Sequence, residues 1–275
     1  TSAASRTLRP WGEGYFWRII MWHSLAGPNV HFVLETVAYL IGARIYWRLA
    51  RQGPQAPIED RLLLLGGAVL GALLGSKLLH LMEHLPALLE RNDLALWLGG
   101  KSVLGGFIGG TLGVELVKRL VGWSRSTGDP WVPALAAGLM VGRLGCQLSG
   151  TWDLTYGTPT NLPWAWDYGD GIGRHPTALY EIVLVGLALL ATRQWALVAS
   201  PGARFAAFLL LYCAIRFVLE FCKPPFGTAA PDALPVARYL YLSAIQWAAL
   251  CGGAWYFALL RRRLQWRQIR AALID

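Results

Sequence analysis

Charge is what this chain has least of. Only 15% of its 275 residues are Asp, Glu, Lys or Arg, against roughly 25% in an average soluble domain. That deficit excludes an ordinary soluble globule, which needs a charged shell. Cysteine is scarce as well: Cys146, Cys213, Cys222 and Cys251 all lie in or beside apolar segments. None forms a CxxC pair, so neither a zinc ribbon nor a secreted disulfide framework is supported, and no metal or cofactor is expected. The N-terminus lacks a basic–apolar–AxA leader, and residues 1–8 read as a truncation or a remnant. No internal repeat is evident, which counts against the repeat-built transporters.

Apolar and aromatic residues take the place of charge. The chain is 55% hydrophobic, holds 14 tryptophans and has a mean hydropathy of +0.41. Apolar runs of about 20 residues recur along its length, the signature of an all-α polytopic membrane protein. Spans are expected near 29–49, 62–82, 102–121, 131–149, 177–198, 204–222 and 237–260, about seven transmembrane helices in all. Residues 1–28 precede them as an N-terminal interfacial segment, aromatic over 10–27 with Glu13 and Arg18 interspersed. Residues 29–260 form a single transmembrane domain, and 261–275 form a basic tail.

The formal net charge is +9, but the cations sit in short loops and at the C-terminus, which argues against nucleic acid. Arg44, Arg48, Arg51 and Arg61 follow the first span, Lys118, Arg119 and Arg125 the third, and Arg193 and Arg204 the fifth. Arg261, Arg262, Arg263, Arg267 and Arg270 follow the last. Alternate loops carry Glu83, Glu90, Asp93, Asp153, Asp167, Asp170 and Asp232. The positive-inside rule then puts the C-terminus in the cytoplasm and the N-terminus outside. The long connection 150–176, dense in Gly, Pro and aromatics, falls on the outer face, and such loops are often functional.

Two cations break the apolar pattern. Arg143 and Arg216 fall inside expected spans, where a guanidinium costs about 2.5–3.5 kcal/mol on insertion scales. Such residues face a wet cavity and an anionic partner. A pair of them points to a polar, lipid-accessible central cavity that receives an anion, phosphate foremost because its geometry suits the guanidinium fork.

Three segments supply the rest of a candidate site. GGKSVLGGFIGG (99–110) brings Lys101, Ser102, Gly105 and Gly106 to a helix entry, where backbone amides can hold an anion or the glycines can simply allow tight packing. GRLGCQLSG (142–150) carries Arg143 and Cys146, with Asp153 three residues beyond the span as an acid that can serve Arg143. RHPTALYE (174–181) joins YCAIRFVLE (212–220), in which Tyr212, Arg216 and Glu220 share one helix face at i, i+4 and i+8. Glu220 can act in the site or merely neutralise Arg216. His31 and Glu35 are likewise i, i+4, and Lys77 and His80 either face the same chamber or snorkel to its rim.

The order of these motifs resembles the prolipoprotein diacylglyceryl transferase family of bacterial inner-membrane enzymes. GALLGSKLLHLME resembles its glycine–basic segment, with Lys77 where arginine is usual, and GGKSVLGG resembles GGxSxHGG. DPWVPALAAGLMVGRLGCQLSG (129–150) resembles the Asp…Pro…GRxGNFxNGE signature. RHPTALYEI resembles HPxQLYE, YCAIRFVLEFCK resembles YxxxRFxxEFxR, and LSAIQWAAL places Gln246 in the final helix. The matches run in the same order from about residue 29 to 250.

The resemblance implies essential arginines at Arg143 and Arg216, a catalytic-region tyrosine at Tyr212, an acid at Glu220, and His175, Tyr180 and Glu181 in the HPxQLYE element. It also implies a multi-pass enzyme of the bacterial cytoplasmic membrane without a cofactor. Its donor is phosphatidylglycerol or a related anionic phospholipid, and its acceptor the lipobox cysteine of a prolipoprotein signal peptide or another nucleophile. Three positions depart from the family: its GGxSxHGG histidine is Leu104, its signature asparagine is Cys146, and the acid after NG is Thr151. His175 is then the expected base, and Lys101 takes over part of the polar function lost at Leu104. Cys146 beside Arg143 is either a reactive thiol or a small buried residue at a helix contact. Two other classes remain open: a lipid-binding or partner-binding protein on the same fold, and a transporter.

Overall fold

The computed structural model describes residues 27–52, 57–91, 97, 99–153, 155–194, 200–224 and 236–272. Almost all of the aromatic segment expected over 10–27, residues 1–8, and the acids Asp93 and Asp232 lie outside them. The described part is mostly helical. In chain order it holds α1 (Pro28–Ala50), α2 (Ile58–Arg91), α3 (Val103–Val121), α4 (Trp131–Leu148), α5 (Thr177–Ala191), α6 (Ala203–Leu219) and α7 (Ala244–Ala272). Between α4 and α5 lies a two-stranded ribbon, β1 (Trp166–Asp167) with β2 (Gly173–Arg174), and before α7 a second, β3 (Arg238–Tyr239) with β4 (Leu242–Ser243). Three stretches, Ile58–Glu90, Trp131–Leu148 and Ala203–Cys222, are long and apolar enough to cross a membrane. Large apolar side chains such as Leu74, Leu78, Leu120 and Val183 point outward from the bundle. An aqueous surface does not tolerate that density of exposed apolar area, and a lipid surface favours it.

Helices α2 and α7 run past their expected ends, to Arg91 and Ala272, and two other boundaries differ from the hydropathy reading for a local reason. The last helix starts at Ala244 instead of near 237 because 238–243 turn back on themselves. Leu240 and Tyr241 both take positive φ (50° and 69°), the geometry of a tight hairpin turn. Ser243 and Gln246 then form a reciprocal cap. The Gln246 amide donates to Ser243 Oγ (3.2 Å) and the Ser243 amide to Gln246 Oε1 (3.0 Å), which starts α7. The fifth helix ends at Ala191, with Thr192 Oγ1 folding back to donate to the Leu189 carbonyl (2.9 Å).

Helix α2 is long for one span. At 34 residues it measures about 51 Å at 1.5 Å per residue. Pro86 lies inside it and leaves the Met82 carbonyl without its helical donor. The Tyr239 hydroxyl donates to that carbonyl (2.7 Å), and the Ala237 amide donates to Glu83 O (2.6 Å). The second ribbon is thereby docked onto the proline site.

The α2–α3 seam is made of glycine. Gly67, Gly71 and Gly75 on α2 meet Gly113, Gly109 and Gly105 on α3, antiparallel and one turn apart at each step. A Cβ added at Gly71 would collide with the Gly109 carbonyl, and one at Gly75 with the Gly105 carbonyl. The backbones therefore touch, the close approach that small-residue stripes permit. At the far end of the bundle Asp129 accepts from the amides of Gly202 (2.6 Å) and Phe205 (3.0 Å), capping α6 from two residues before α4. α1 packs along α4 and α2 along α3, and the space left between these two pairs and α6 forms the cavity.

Gly109→Val drives a branched side chain into α2. We expect a thermal midpoint in detergent lowered by several degrees or loss of monodisperse protein. Gly66→Ala, at an α2 glycine with nothing within 4 Å of the added carbon, leaves the midpoint unchanged or slightly raised.

Candidate active site

The two intramembrane arginines meet at one carboxylate. Glu181, in the first turns of α5, is 2% exposed, and its Oε2 lies 3.0 Å from Arg143 Nε on α4 and 3.0 Å from Arg216 Nη1 on α6. The Tyr212 hydroxyl, one turn before Arg216, donates to the other oxygen, Oε1 (2.9 Å). Glu220 answers only Arg216, at 3.4 Å. The i, i+4, i+8 face of Tyr212, Arg216 and Glu220 is therefore real, and Glu220 neutralises Arg216 only in part. Arg143 is paired by Glu181, whereas Asp153 turns to His31 instead. Each guanidinium has five N–H donors. The contacts of Arg143 use Nε and one Nη1 hydrogen, and those of Arg216 use Nη1 and Nη2, so both keep donors free for a ligand.

Both arginines line a cavity of about 1670 Å³ that runs most of the length of the bundle. Its wall is largely apolar, with Leu65, Val69, Leu73, Leu135 and Leu209 among the lining side chains. One end carries His31, Glu35, Lys77, Lys101, Ser102, Arg143, Cys146, Asp153, Arg216 and Glu220, and the opposite end a smaller polar set that includes Glu115, Lys118 and Arg263. The Ser102 amide donates to Ser76 Oγ (2.9 Å), fixing the Gly-rich entry to α2, while Ser102 Oγ caps the Gly105 amide at 3.5 Å. Lys101 is ion-paired with Glu35, and Lys77 donates to the Gly99 carbonyl. Gly106 lines the cavity, whereas Gly105 faces the α2 seam.

At the mouth of this polar end a second group of side chains converges. His31 Nδ1 lies 3.4 Å from Asp153 Oδ2, and His31 Nε2 lies 3.8 Å from Glu35 Oε2. Cys146 Sγ completes the group, its ligand atom and those of His31 and Asp153 all lying within 4.8 Å of one another. Arg143 Nη1 donates to the same sulfur at 3.6 Å. Sequence spacing links only His31 with Glu35 and Arg143 with Cys146. Glu83 and Lys223, also in the cavity wall, close the GALLGSKLLHLME and YCAIRFVLEFCK segments, although the sequence does not single them out as site residues. Desolvation, helped by the Arg216 charge, pushes the Lys223 ammonium below its ordinary value.

Other expected site residues lie away from the cavity. His175 does not line it; its Nδ1 is 3.3 Å from the Tyr180 hydroxyl, which also accepts from Trp164 Nε1 (2.7 Å). His175 and Trp164 belong to the 150–176 connection, whose backbone is tied to β2 and to the Cys222 carbonyl. There the Arg174 fork grips Asp170 through two bonds of 2.7 Å and holds that carboxyl below the usual carboxylate range. The contribution of this pair is present at neutral pH and is lost as pH falls through the depressed value. Gln246 is engaged in the α7 cap, whereas Leu104, 2% exposed and packed with Leu79 and Tyr212, does contribute to the cavity wall.

Glu181→Gln leaves two buried guanidiniums facing each other with one neutral amide between them. A destabilisation of about 3–5 kcal/mol is expected, read as a lowered thermal midpoint in detergent. Tyr212→Phe, which removes one donor to Glu181, costs about 1 kcal/mol by the same measurement.

The family model described as prolipoprotein diacylglyceryl transferase matches residues 30–259. A Bordetella parapertussis protein named phosphatidylglycerol–prolipoprotein diacylglyceryl transferase is 34% identical over 206 residues, covering 68% of this chain and 76% of its own. Its namesake from Bordetella avium is 33% identical over 257 residues, 89% of this chain and 91% of that one. The Nitrosomonas europaea protein of the same name is 32% identical over 228 residues, 77% and 78% of the two chains. Motif order, the paired arginines and these matches agree: the chain belongs to the prolipoprotein diacylglyceryl transferase family.

Proposed function

We propose that this chain transfers the diacylglyceryl group of phosphatidylglycerol to the lipobox cysteine of a prolipoprotein and releases glycerol phosphate. The observation that carries the reading is the placement of Arg143 and Arg216 on the wall of a long apolar cavity. Such a cavity exceeds the roughly 300–1,000 Å³ of a small-molecule pocket. Its apolar length suits acyl chains, and the guanidiniums at its polar end suit the phosphodiester.

The reaction forms one C–S bond and breaks one C–O bond. The acceptor sulfur, as thiolate, attacks the glycerol carbon that carries the phosphoester oxygen. The electron pair of the breaking bond stays with the departing glycerol phosphate. A diester monoanion becomes a monoester dianion, so negative charge grows on the phosphate in the transition state. Two guanidiniums held in place by Glu181 stabilise that charge without reorganising, which is where preorganised donors act most strongly. Tyr212 works through Glu181 as a positioning residue, and Glu220 holds the far side of Arg216. Lys101, Ser102 and Gly106 border the head-group end, and Lys77 orders the Gly-rich entry.

For the membrane arrangement we propose that all seven helices span, with α1 entering from outside and α7 leaving its basic end in the cytoplasm. The alternation of helix direction and the Lys/Arg bias of the α1–α2, α3–α4, α5–α6 and post-α7 segments support this. The site end of the bundle then faces the outer side of a bacterial inner membrane, where a translocated signal peptide presents its cysteine.

Release of glycerol phosphate from head-group-labelled phosphatidylglycerol in detergent or proteoliposomes tests the reading. Arg216→Ala and Arg143→Ala should each lower turnover by about 10²–10³-fold while the protein stays membrane-inserted. Retained turnover in either variant removes the phosphate-clamp role. Growth of a conditional strain lacking its own transferase, restored by this chain and not by Arg216→Ala, identifies the prolipoprotein acceptor.

A further inference from the structure

We propose that Cys146, His31 and Asp153 form a zinc site with one open coordination position at the polar mouth of the cavity. The three donors come from different places: His31 from α1, Cys146 from α4 and Asp153 from the turn after it. Thiolate, imidazole and carboxylate are the donor types that Zn²⁺ takes, and three protein ligands plus an open position is the pattern of a catalytic zinc. A tetrahedral zinc, with bonds of about 2.3 Å to sulfur and 2.0–2.2 Å to nitrogen or oxygen, separates its ligand atoms by about 3.3–3.7 Å. The His31–Asp153 separation of 3.4 Å already meets that spacing, and the whole group, within 4.8 Å, must contract to reach it on binding.

The surroundings of His31 carry the argument further. Its Nδ1 is buried and has no hydrogen-bond partner among the described residues, with Asp153 Oδ2 3.4 Å away. Its other nitrogen, Nε2, lies beside Glu35 at 3.8 Å. Glu35 is itself held by Lys101 and by the Tyr39 hydroxyl (2.8 Å). A ligating histidine typically presents its second N–H to a carboxylate, which sets the tautomer and strengthens the metal bond, and Glu35 is the carboxylate on that side, just beyond hydrogen-bond range. Arg143 Nη1 points at the sulfur as an outer donor, and its charge is held on the other side by Glu181.

The role follows if the proposed transfer reaction holds. A coordinating thiol is deprotonated outright by zinc. The acceptor cysteine enters as the fourth ligand, and its proton passes to water at the exposed mouth. Its sulfur then forms the C–S bond as the C–O bond to phosphate breaks. No redox change occurs. Zinc here does the work of a thiol base at a place where Leu104 supplies none.

The test is metal analysis of the full-length protein in detergent, stripped with a chelator and equilibrated with Zn²⁺. About one zinc per chain is expected, with retention lost in Cys146→Ser and His31→Ala and weakened about 10–100-fold in Glu35→Gln. Co²⁺ in place of zinc should give a sulfur-to-metal charge-transfer band that Cys146→Ser abolishes. His80→Ala disturbs the separate His80, Glu83 and His84 group on α2 and should leave the zinc in place. Unchanged thermal midpoints show that the variants fold. Absence of stoichiometric zinc, its persistence in folded Cys146→Ser, or its loss in His80→Ala overturns the site. If zinc binds but the stripped protein transfers at full rate, the thiol-activating role is overturned. If zinc binds and no metal state releases glycerol phosphate, the transferase reading fails while the site stands.

Discussion

The arrangement depends on one buried carboxylate. Without Glu181, Arg143 and Arg216 would be two cations in an apolar bundle with only Glu220 between them and an insertion cost of several kcal/mol. With it, both guanidiniums are fixed in direction, and Tyr212 fixes the carboxylate in turn. Burying such a network gives little net stability, because desolvation offsets most of the Coulombic gain. What it supplies is geometry: α4, α5 and α6 are locked in register at the polar end, with spare N–H donors turned toward the cavity.

The cavity itself follows from how the helices are kept apart and together. Glycine faces let α2 and α3 touch at backbone distance along six residues, so these two helices act as one slab. Asp129 ties the start of α6 to the start of α4, and Pro86 releases carbonyls that anchor the ribbon before α7. The groups that hold the wall are therefore at the ends and seams of helices, and the lining between them is left apolar. A lipid chain asks for no more than that.

Features written within one helix are legible in the sequence. The shared face of Tyr212, Arg216 and Glu220 follows from helical period, and the apolar runs place most helices to within a few residues. Features that join helices are not. Nothing in the spacing of Arg143 and Glu181 reveals that they meet, and Asp153, the nearest acid in sequence to Arg143, pairs with His31 across the mouth instead. His175 is the natural base by motif, yet the 150–176 connection folds it against Tyr180 and away from the cavity. Gln246 shows the same limit from the other side, since Ser243 three residues earlier makes it half of a helix cap.

The departures from the family pattern fall unevenly across the cavity, and that distribution has chemical content. Arg143, Glu181, Tyr212, Arg216 and Glu220 keep the residue types of the family motifs, whereas Cys146, in contact with Arg143, does not. The changes lie at Leu104, Cys146 and Thr151, around the mouth where an acceptor would enter. Leu104, on the cavity wall beside Leu79, cannot take a proton. A thiol nucleophile still has to lose its proton somewhere near neutral pH. The only described side chains at the mouth that combine an imidazole, a thiol and a carboxylate are His31, Cys146 and Asp153. On the proposed reading the two halves of the reaction have therefore separated in their constraints: phosphate stabilisation is tied to Glu181 and cannot drift, whereas thiol activation needs only a group with access to the mouth and can be rebuilt on neighbouring elements.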